Sequence, residues 1–154
     1  LNASLVSENG KAGLYLFGQN RHRSGFDQDG DGFTELPKLK NQTVGFRSYL
    51  KTSTYSKLTF EYHHMNEYRR GGNLLDRPPH EADIAEQLEH SIDGGGLKFD
   101  LFSKDYKHKW SVFTSAQNTD RDSYYGTNQD PNAYGKTTDL TVMAGTQYAY
   151  SFCL

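Results

Sequence analysis

The sequence predicts an all-β fold, in which about seven antiparallel strands form part of a larger transmembrane β-barrel. Two patterns lead to this prediction. Apolar residues recur at every second position, in segments about as long as the ~9–11 residues that a tilted membrane strand needs. The connections between these segments alternate between short and long, as the turns and loops of a bacterial barrel do.

The predicted strands follow one another along the whole chain. In the third strand, Phe46 and Leu50 oppose Arg47, so one face is apolar and the other carries charge. The seventh strand has the longest regular stripe, which runs from Leu140 to Phe152. The seven predicted strands are residues 1–8, 11–21, 42–52, 57–68, 90–103, 109–118 and 139–152.

The lengths of the connections predict how the strands are oriented across the membrane. Asn9-Gly10 is a hairpin signal, and the three glycines at 94–96 predict a bend or bulge inside the fifth strand. The connections after the first, third and fifth strands are short, whereas the other three have roughly twenty residues each. Short turns are periplasmic in bacterial barrels, so the second, fourth and sixth strands are expected to run outward. Aromatic residues near the short turns predict an interfacial girdle: Tyr55, Phe60, Tyr106, Trp110, Tyr148, Tyr150 and Phe152.

The strand count suggests an incomplete barrel. Seven is odd, whereas single-chain bacterial barrels close with an even number of strands, and an open sheet leaves unpaired edges in lipid. The strand patterns also continue up to both termini. We therefore expect residues 1–154 to be part of one barrel domain of a longer protein.

Composition excludes several other classes. Hydrophobic residues make up 34% of the chain and include 11 Tyr and 9 Phe, a bias that strands tolerate well. The net charge of −2 is scattered, so no nucleic-acid partner is expected. No apolar run approaches the ~18 residues of a helical membrane span. Cys153 is the single cysteine, which removes a disulfide framework. The chain begins at Leu1 without a basic segment and an apolar stretch, so we expect that a secretory signal was never included or has been removed.

The acidic segment 27–35 predicts a calcium loop. Carboxylates at alternate positions followed by glycine let a tight loop wrap hard oxygens around one Ca²⁺, as in the opening of the EF-hand pattern. That pattern then breaks, because Lys38 replaces the bidentate glutamate and Pro37 prevents an exit helix. A calcium loop of another architecture is expected, and a solvated acidic turn is the alternative. The predicted ligands are Asp27, Asp29, Asp31, Glu35 and the carbonyl of Phe33.

No catalytic constellation is identifiable, so the chain is predicted not to be an enzyme. His80-Glu81 opens the helical zinc-protease motif, but Ile84 stands where its second histidine belongs. His63 and His64 are neighbours on a strand and point to opposite faces, so they cannot hold one metal together. Residues 82–90 are expected to form a short helical turn with a structural role.

The third long connection, residues 118–136, is a candidate for ligand recognition. It is rich in Asp, Asn, Tyr and Gly, and tyrosine combined with adaptable polar groups suits ligand capture at the mouth of a pore. The candidate contacts are Tyr124, Tyr125 and Tyr134. An exposed polar loop without a ligand is the alternative.

Four strings of the sequence, FDQDGDGFTELPKL, HHMNEYRRGG, RPPHEADIAEQLEH and NTDRDSYYG, occur in this order between alternating strands. Together they resemble the barrel of TonB-dependent outer-membrane receptors, in particular the Bacteroidetes branch with cobalamin- and siderophore-receptor relatives. The resemblance extends over nearly the whole chain. It implies a barrel of about 22 strands, plugged by an N-terminal domain that is absent here.

The resemblance also implies a function and partners. Such receptors sit in the outer membrane of Gram-negative bacteria, contact its lipid, and take up a scarce metal chelate, cobalamin or a ferric siderophore, with energy passed on by TonB. The segments that contact TonB are absent here. In some relatives external loops bind Ca²⁺, and Asp27, Asp29 and Asp31 are the matching positions, although Lys38 departs from a full ligand set.

Two alternatives remain beside the receptor. A complete small outer-membrane barrel of eight strands fits the chain length, but no eighth strand is visible in the sequence. A soluble calcium-dependent β-sandwich also has alternating strands, and it would bury the aromatic stripes inside.

Overall fold

The chain folds as an all-β protein with one antiparallel sheet of seven strands. The computed structural model describes residues 1–152, so the lone Cys153 lies outside the described residues. Each strand pairs with the next one along the chain, and the sheet stays open between β1 and β7. The described part of the chain has no helix with the length and hydropathy to cross a membrane. The strands are β1 (Asn2–Val6), β2 (Ala12–Arg23), β3 (Thr34–Ser53), β4 (Ser56–Gly72), β5 (Ile84–Phe102), β6 (His108–Thr127) and β7 (Tyr134–Tyr150).

All seven predicted strands are present, but most extend further than predicted. The sixth was predicted at 109–118 and spans His108–Thr127, and the third begins at Thr34 rather than at residue 42. The connections after β2, β4 and β6 are therefore only residues 24–33, 73–83 and 128–133, well short of the expected length. The reason is that period-2 apolar patterning stops where both faces of a strand become polar, whereas backbone pairing continues.

The expected helical turn at 82–90 is wrong. Only Pro79–Glu81 forms a single 3-10 turn, and the chain enters β5 at Ile84. Ala82 and Ala85 are buried against the ring of Tyr124. Residues 84–90 pair with β4 on one side and with β6 on the other. A helical turn in this place would leave the facing N–H and C=O groups of β4 and β6 without these partners.

The expected bulge at 94–96 is also absent, since this part of β5 pairs with both neighbours without a register shift. The glycines serve close packing instead. The imidazole of His63 lies over Gly94, where an added Cβ would be 2.5 Å from a ring carbon. Within residues 1–152, the register shifts between β3 and β4 fall at Thr34/Lys38 and Lys51/Ser53.

One face of the sheet carries an apolar belt on its short-turn half. Cross-strand partners share a face, so the register assigns every side chain to one side or the other. The belt is largely exposed, with Val142 65% and Val112 55% accessible, and no second layer from residues 1–152 covers it. It ends near the row through His64 and Asp93, beyond which this face is polar. The belt consists of Ala3, Leu5, Leu14, Leu16, Val44, Phe46, Leu50, Leu58, Phe60, Leu97, Phe99, Leu101, Trp110, Val112, Ala116, Leu140, Val142, Ala144 and Tyr148.

The opposite side, here called the polar face, carries charges over its whole height. At the level of the belt, Arg47 donates two hydrogen bonds to Glu61, from Nε at 2.9 Å and from Nη2 at 2.6 Å. Nearby, the buried carboxylate of Asp100 accepts a hydrogen bond from the Ser111 hydroxyl and has the ammonium groups of two lysines at 3.2 and 3.4 Å. The two faces of the same strands therefore differ sharply in polarity.

The aromatic residues near the short turns come together as the sequence predicts. The imidazole of His108 stacks on Trp110, with ring centroids 5.8 Å apart, and Trp110 contacts Tyr148 at 5.3 Å. Tyr55 and Tyr106 from two neighbouring turns also meet, with centroids 5.6 Å apart. The result is an aromatic rim at the end of the belt.

Candidate functional site

The acidic segment forms a closed loop between β2 and β3. A backbone bridge between Phe26 and Leu36 closes its base. Gly30 and Gly32 have φ of 77° and 89°, a conformation that favours glycine. Their N–H groups donate to the two carboxylate oxygens of Asp27, at 2.7 and 2.8 Å. Asp27 therefore fixes the curvature of the loop.

Four of the five predicted calcium ligands converge in this loop. Asp27, Asp29, Asp31 and Glu35 each offer a carboxylate oxygen, and these oxygens lie within 4.8 Å of one another. Phe33, whose carbonyl is the fifth predicted ligand, donates its own N–H to Asp31 at 2.8 Å. A set of hard carboxylate oxygens on a tight loop is the donor chemistry that Ca²⁺ prefers, so the residues present fit this ion.

The acidic loop is followed by a strand and not by a helix. Lys38, at the position of the EF-hand glutamate, is paired with Arg70 of β4. A register irregularity separates Thr34 from Lys38, and the Pro37 carbonyl accepts two hydrogen bonds from the guanidinium of Arg23. The expectation that this is not an EF-hand agrees with that geometry.

The three candidate tyrosines do not form one cluster. Tyr124 and Tyr125 are adjacent in β6 and therefore point to opposite faces, and neither lies in a loop as expected. Tyr124 is 1% exposed and donates its hydroxyl hydrogen bond to the Asp130 carbonyl at 2.9 Å. Tyr134, the first residue of β7, packs on Tyr124 with centroids 4.9 Å apart. Tyr125 and Tyr134 are exposed but lie on opposite faces, because Tyr134 is the cross-strand partner of Tyr124. Ligand contact on the polar face therefore stays a prediction for Tyr125 alone.

An asparagine clamp at the start of the second long loop was not predicted. The Asn73 side chain donates to the Asp83 carboxylate at 2.8 Å and accepts from the Asp83 and Ile84 N–H groups at 3.0 and 3.3 Å. The buried guanidinium of Arg70 donates to the Asn73 carbonyl at 3.1 Å. These hydrogen bonds hold the two ends of loop 73–83 close to each other. The Gly71-Gly72-Asn73 string was the only sequence signal for such a turn.

A hollow of about 810 Å³ opens on the polar face at the end of the sheet that carries the long loops. Its wall combines loop residues with strand residues, because Phe33 and Glu35 at the end of the acidic loop border the same space as Arg69, Ile84 and Tyr125. Sequence reasoning could not place the hollow, since its lining comes from four separate segments of the chain.

Comparisons of this chain with protein-family models, with curated proteins and with solved structures found no match.

Proposed function

We propose that this sheet is part of the wall of an outer-membrane receptor barrel for active uptake of a scarce metal chelate. The observation that carries the proposal is the exposed apolar belt on one face, opposed by a charged face on the same strands. Soluble monomers rarely expose contiguous apolar patches of more than a few hundred Å². Lipid would cover the belt, while the polar face would line a lumen.

The height of the belt supports a membrane position. From Leu140 to Tyr148 on β7 the belt covers about 27 Å along the strand at ~3.4 Å per residue. A strand tilt of about 40° reduces this to about 20 Å, close to the ~25 Å apolar band of outer-membrane barrels. The aromatic rim of His108, Trp110 and Tyr148 then lies at one membrane interface, where aromatic girdles occur.

The open sheet supports the placement in a larger barrel. Within residues 1–152, β1 and β7 pair on one side only. In hydrocarbon every backbone N–H and C=O needs a partner, so further strands must close the sheet if it spans a membrane. In TonB-dependent receptors, which the sequence resembles, the barrel has such further strands, together with a plug and segments that contact TonB.

The loop end supports ligand capture. The acidic loop holds Ca²⁺ through Asp27, Asp29, Asp31 and Glu35, with the Phe33 carbonyl completing the site, and so fixes one wall of the hollow. Exposed Tyr125 lies on the lumen side of this wall. The cargo is a cobalamin or a ferric siderophore, and the protein carries out no covalent chemistry on it.

Detergent extraction and membrane fractionation of the full-length protein test the proposal. We expect recovery with the outer membrane, and release only by detergents that dissolve that membrane. Recovery in the soluble fraction without detergent would refute the proposal and would favour a soluble β-sandwich, in which another layer covers the belt.

A further inference from the structure

Three lysines lie next to one another at the short-turn end of the polar face. Lys51 of β3 is the cross-strand partner of Lys57 of β4. On the other side of Lys51 lies Lys11, just before β2, and the Lys11 carbonyl accepts a hydrogen bond from the Lys51 N–H at 2.7 Å. All three lysines border one hollow of about 770 Å³. We call Lys11, Lys51 and Lys57 the lysine row.

The sheet does not neutralise the charge of the lysine row. Within residues 1–152, none of its three ammonium groups forms an ion pair. Asp100 of β5 is the cross-strand partner of Lys57. Its carboxylate already has the ammonium groups of Lys98 and Lys109 at 3.4 and 3.2 Å. Like charges directly opposite each other on neighbouring strands destabilise a sheet, so a further carboxylate beside the row would relieve this repulsion.

The polar face beside the lysine row has room for another segment. The rings of Tyr49 and Phe113 lie against glycines of the neighbouring strands and do not project from the sheet. An added Cβ on Gly145, for example, would be 2.6 Å from the ring of Phe113. Both rings border a second hollow, of about 530 Å³, and Lys57 borders both hollows. The two hollows therefore adjoin at the lysine row.

The spacing of the lysine row suits a line of carboxylates. The row crosses three neighbouring strands, which corresponds to about 10 Å at ~4.8 Å per strand. Side chains on neighbouring strands, or on successive turns of a helix, are also roughly 5 Å apart, so an acidic polypeptide can offer one carboxylate to each ammonium group. If one small anion gathered all three ammonium groups, these like charges would come closer to one another. The row therefore favours a polypeptide partner.

We propose that the lysine row docks an acidic segment of the full-length protein, outside residues 1–154, through ion pairs between its carboxylates and the three ammonium groups. The inference rests on the proposed function, because a closed barrel would hold such a segment inside the lumen that the polar face lines. It specifies the charge of the docked surface and the residues that hold it at the short-turn end of the wall.

Zero-length cross-linking of the full-length protein with a carbodiimide tests the docking directly, because this reagent joins an ammonium group only to a carboxylate in contact with it. We expect mass spectrometry to find Lys51 and Lys57 joined to Asp or Glu residues outside residues 1–154. Lys136, which pairs with Asp122 at 3.2 Å on the opposite face, is the internal control for the reaction. If Lys136 is joined to Asp122 but the lysine row is joined to no carboxylate outside residues 1–154, the inference is wrong.

The sign of a stability change gives a second, independent test. If acidic residues are docked, Lys51→Gln removes an attraction and should lower the thermal unfolding midpoint of the full-length protein by a few degrees. If the row has no partner, the same substitution removes a repulsion and should raise the midpoint. Lys51→Arg keeps the charge and should keep the wild-type midpoint, as should Lys136→Gln, because an exposed ion pair contributes little. An unchanged or raised midpoint in Lys51→Gln would overturn the docking.

Inorganic tripolyphosphate separates this inference from the binding of a small anion. If the polyphosphate raises the midpoint of the wild-type protein but not that of Lys51→Gln, the row is open to small anions and the docking is refuted.

Failure of the docking is also distinguishable from failure of the proposed function. A protein that fractionates with the outer membrane but lacks the cross-links refutes the docking alone. Recovery in the soluble fraction refutes the membrane placement, and the cross-links of that soluble protein still decide whether the lysine row holds an acidic segment.

Discussion

At Gly45, in the middle of β3, neighbouring atoms already occupy the space of a side chain. A Cβ there would be 2.5 Å from the Phe17 ring and 2.7 Å from the Tyr62 carbonyl oxygen. We predict that Gly45→Ala lowers the free energy of unfolding by about 1–3 kcal/mol, because part of the obstruction is backbone and cannot rotate away. Denaturant unfolding of the detergent-solubilised protein measures the change.

Gly18, on the adjacent strand, is the matched control. An added Cβ there would meet only the Thr43 carbonyl oxygen, at an ordinary 3.6 Å. Gly18→Ala should therefore be neutral or slightly stabilising, since alanine restricts the unfolded chain more than glycine does. Equal effects of the two substitutions would show that close packing at Gly45 does not limit stability.

The proposed calcium binding also depends on single residues. We predict that Asp29→Asn and Asp31→Asn each weaken Ca²⁺ binding at least about tenfold, because the affinity of such loops depends on the number of charged ligands. Calorimetric titration of the full-length protein measures this. Asp76→Asn, an exposed carboxylate in another loop, is the control and should leave Ca²⁺ affinity unchanged. Unchanged affinity in the Asp29 and Asp31 variants would remove calcium from the proposal.

The candidate residues differ in how far the sequence alone could place them. The convergence of Asp27, Asp29 and Asp31 follows from local spacing around two glycines, so the sequence is sufficient there. For Tyr124 and Tyr125 the sequence was not sufficient, because these side chains point to opposite faces only if the segment is a strand and not a loop. Lys11 and Lys57 lie far apart in sequence, so only the strand register could place them in one row.

The β4–β5 loop depends on the Asn73 clamp for its shape. We predict that Asn73→Ala weakens the loop by about 1–3 kcal/mol, since three hydrogen bonds are lost and the Asp83 and Ile84 N–H groups lose a partner. Faster hydrogen exchange of these two amides is the expected readout. Asn66→Ala, at an exposed position of β4, should leave their exchange unchanged.

The strand pattern of the elements was predictable, but their lengths were not. Alternation of apolar and polar residues marks a strand only where one face is apolar, as at Val112 in β6. Beyond Asn118 both faces of β6 are polar, so the signal disappears although the ladder continues to Thr127. The expected helical turn at 82–90 failed for a related reason, because tertiary pairing with β4 and β6 overrode local patterning there.

At the scale of the whole molecule, the proposed function requires lipid, and not water, to cover the apolar belt. Val142 and Thr141 are adjacent in β7, lie at the same depth and point to opposite faces. We predict that Val142→Arg destabilises the proposed barrel by about 1–3 kcal/mol, because a cation is costly inside the apolar band and Val142 lies one row inside its edge, whereas Thr141→Arg has little effect. Reversible unfolding in lipid vesicles measures both. If water covers the belt, neither substitution is costly, and equal stability of the two variants would contradict the lipid position.

The long ladders beyond the belt have a thermodynamic consequence for capture. Fixing one residue of flexible backbone costs about 1–2 kcal/mol, so a receptor with long floppy connections loses part of its binding free energy in ordering them. Here β6 continues as far as Thr127 and β7 begins at Tyr134, so only residues 128–133 connect the two strands and little backbone is left for a ligand to order. For the proposed receptor we therefore expect ligand capture at this end to be preorganised, with a small entropy penalty.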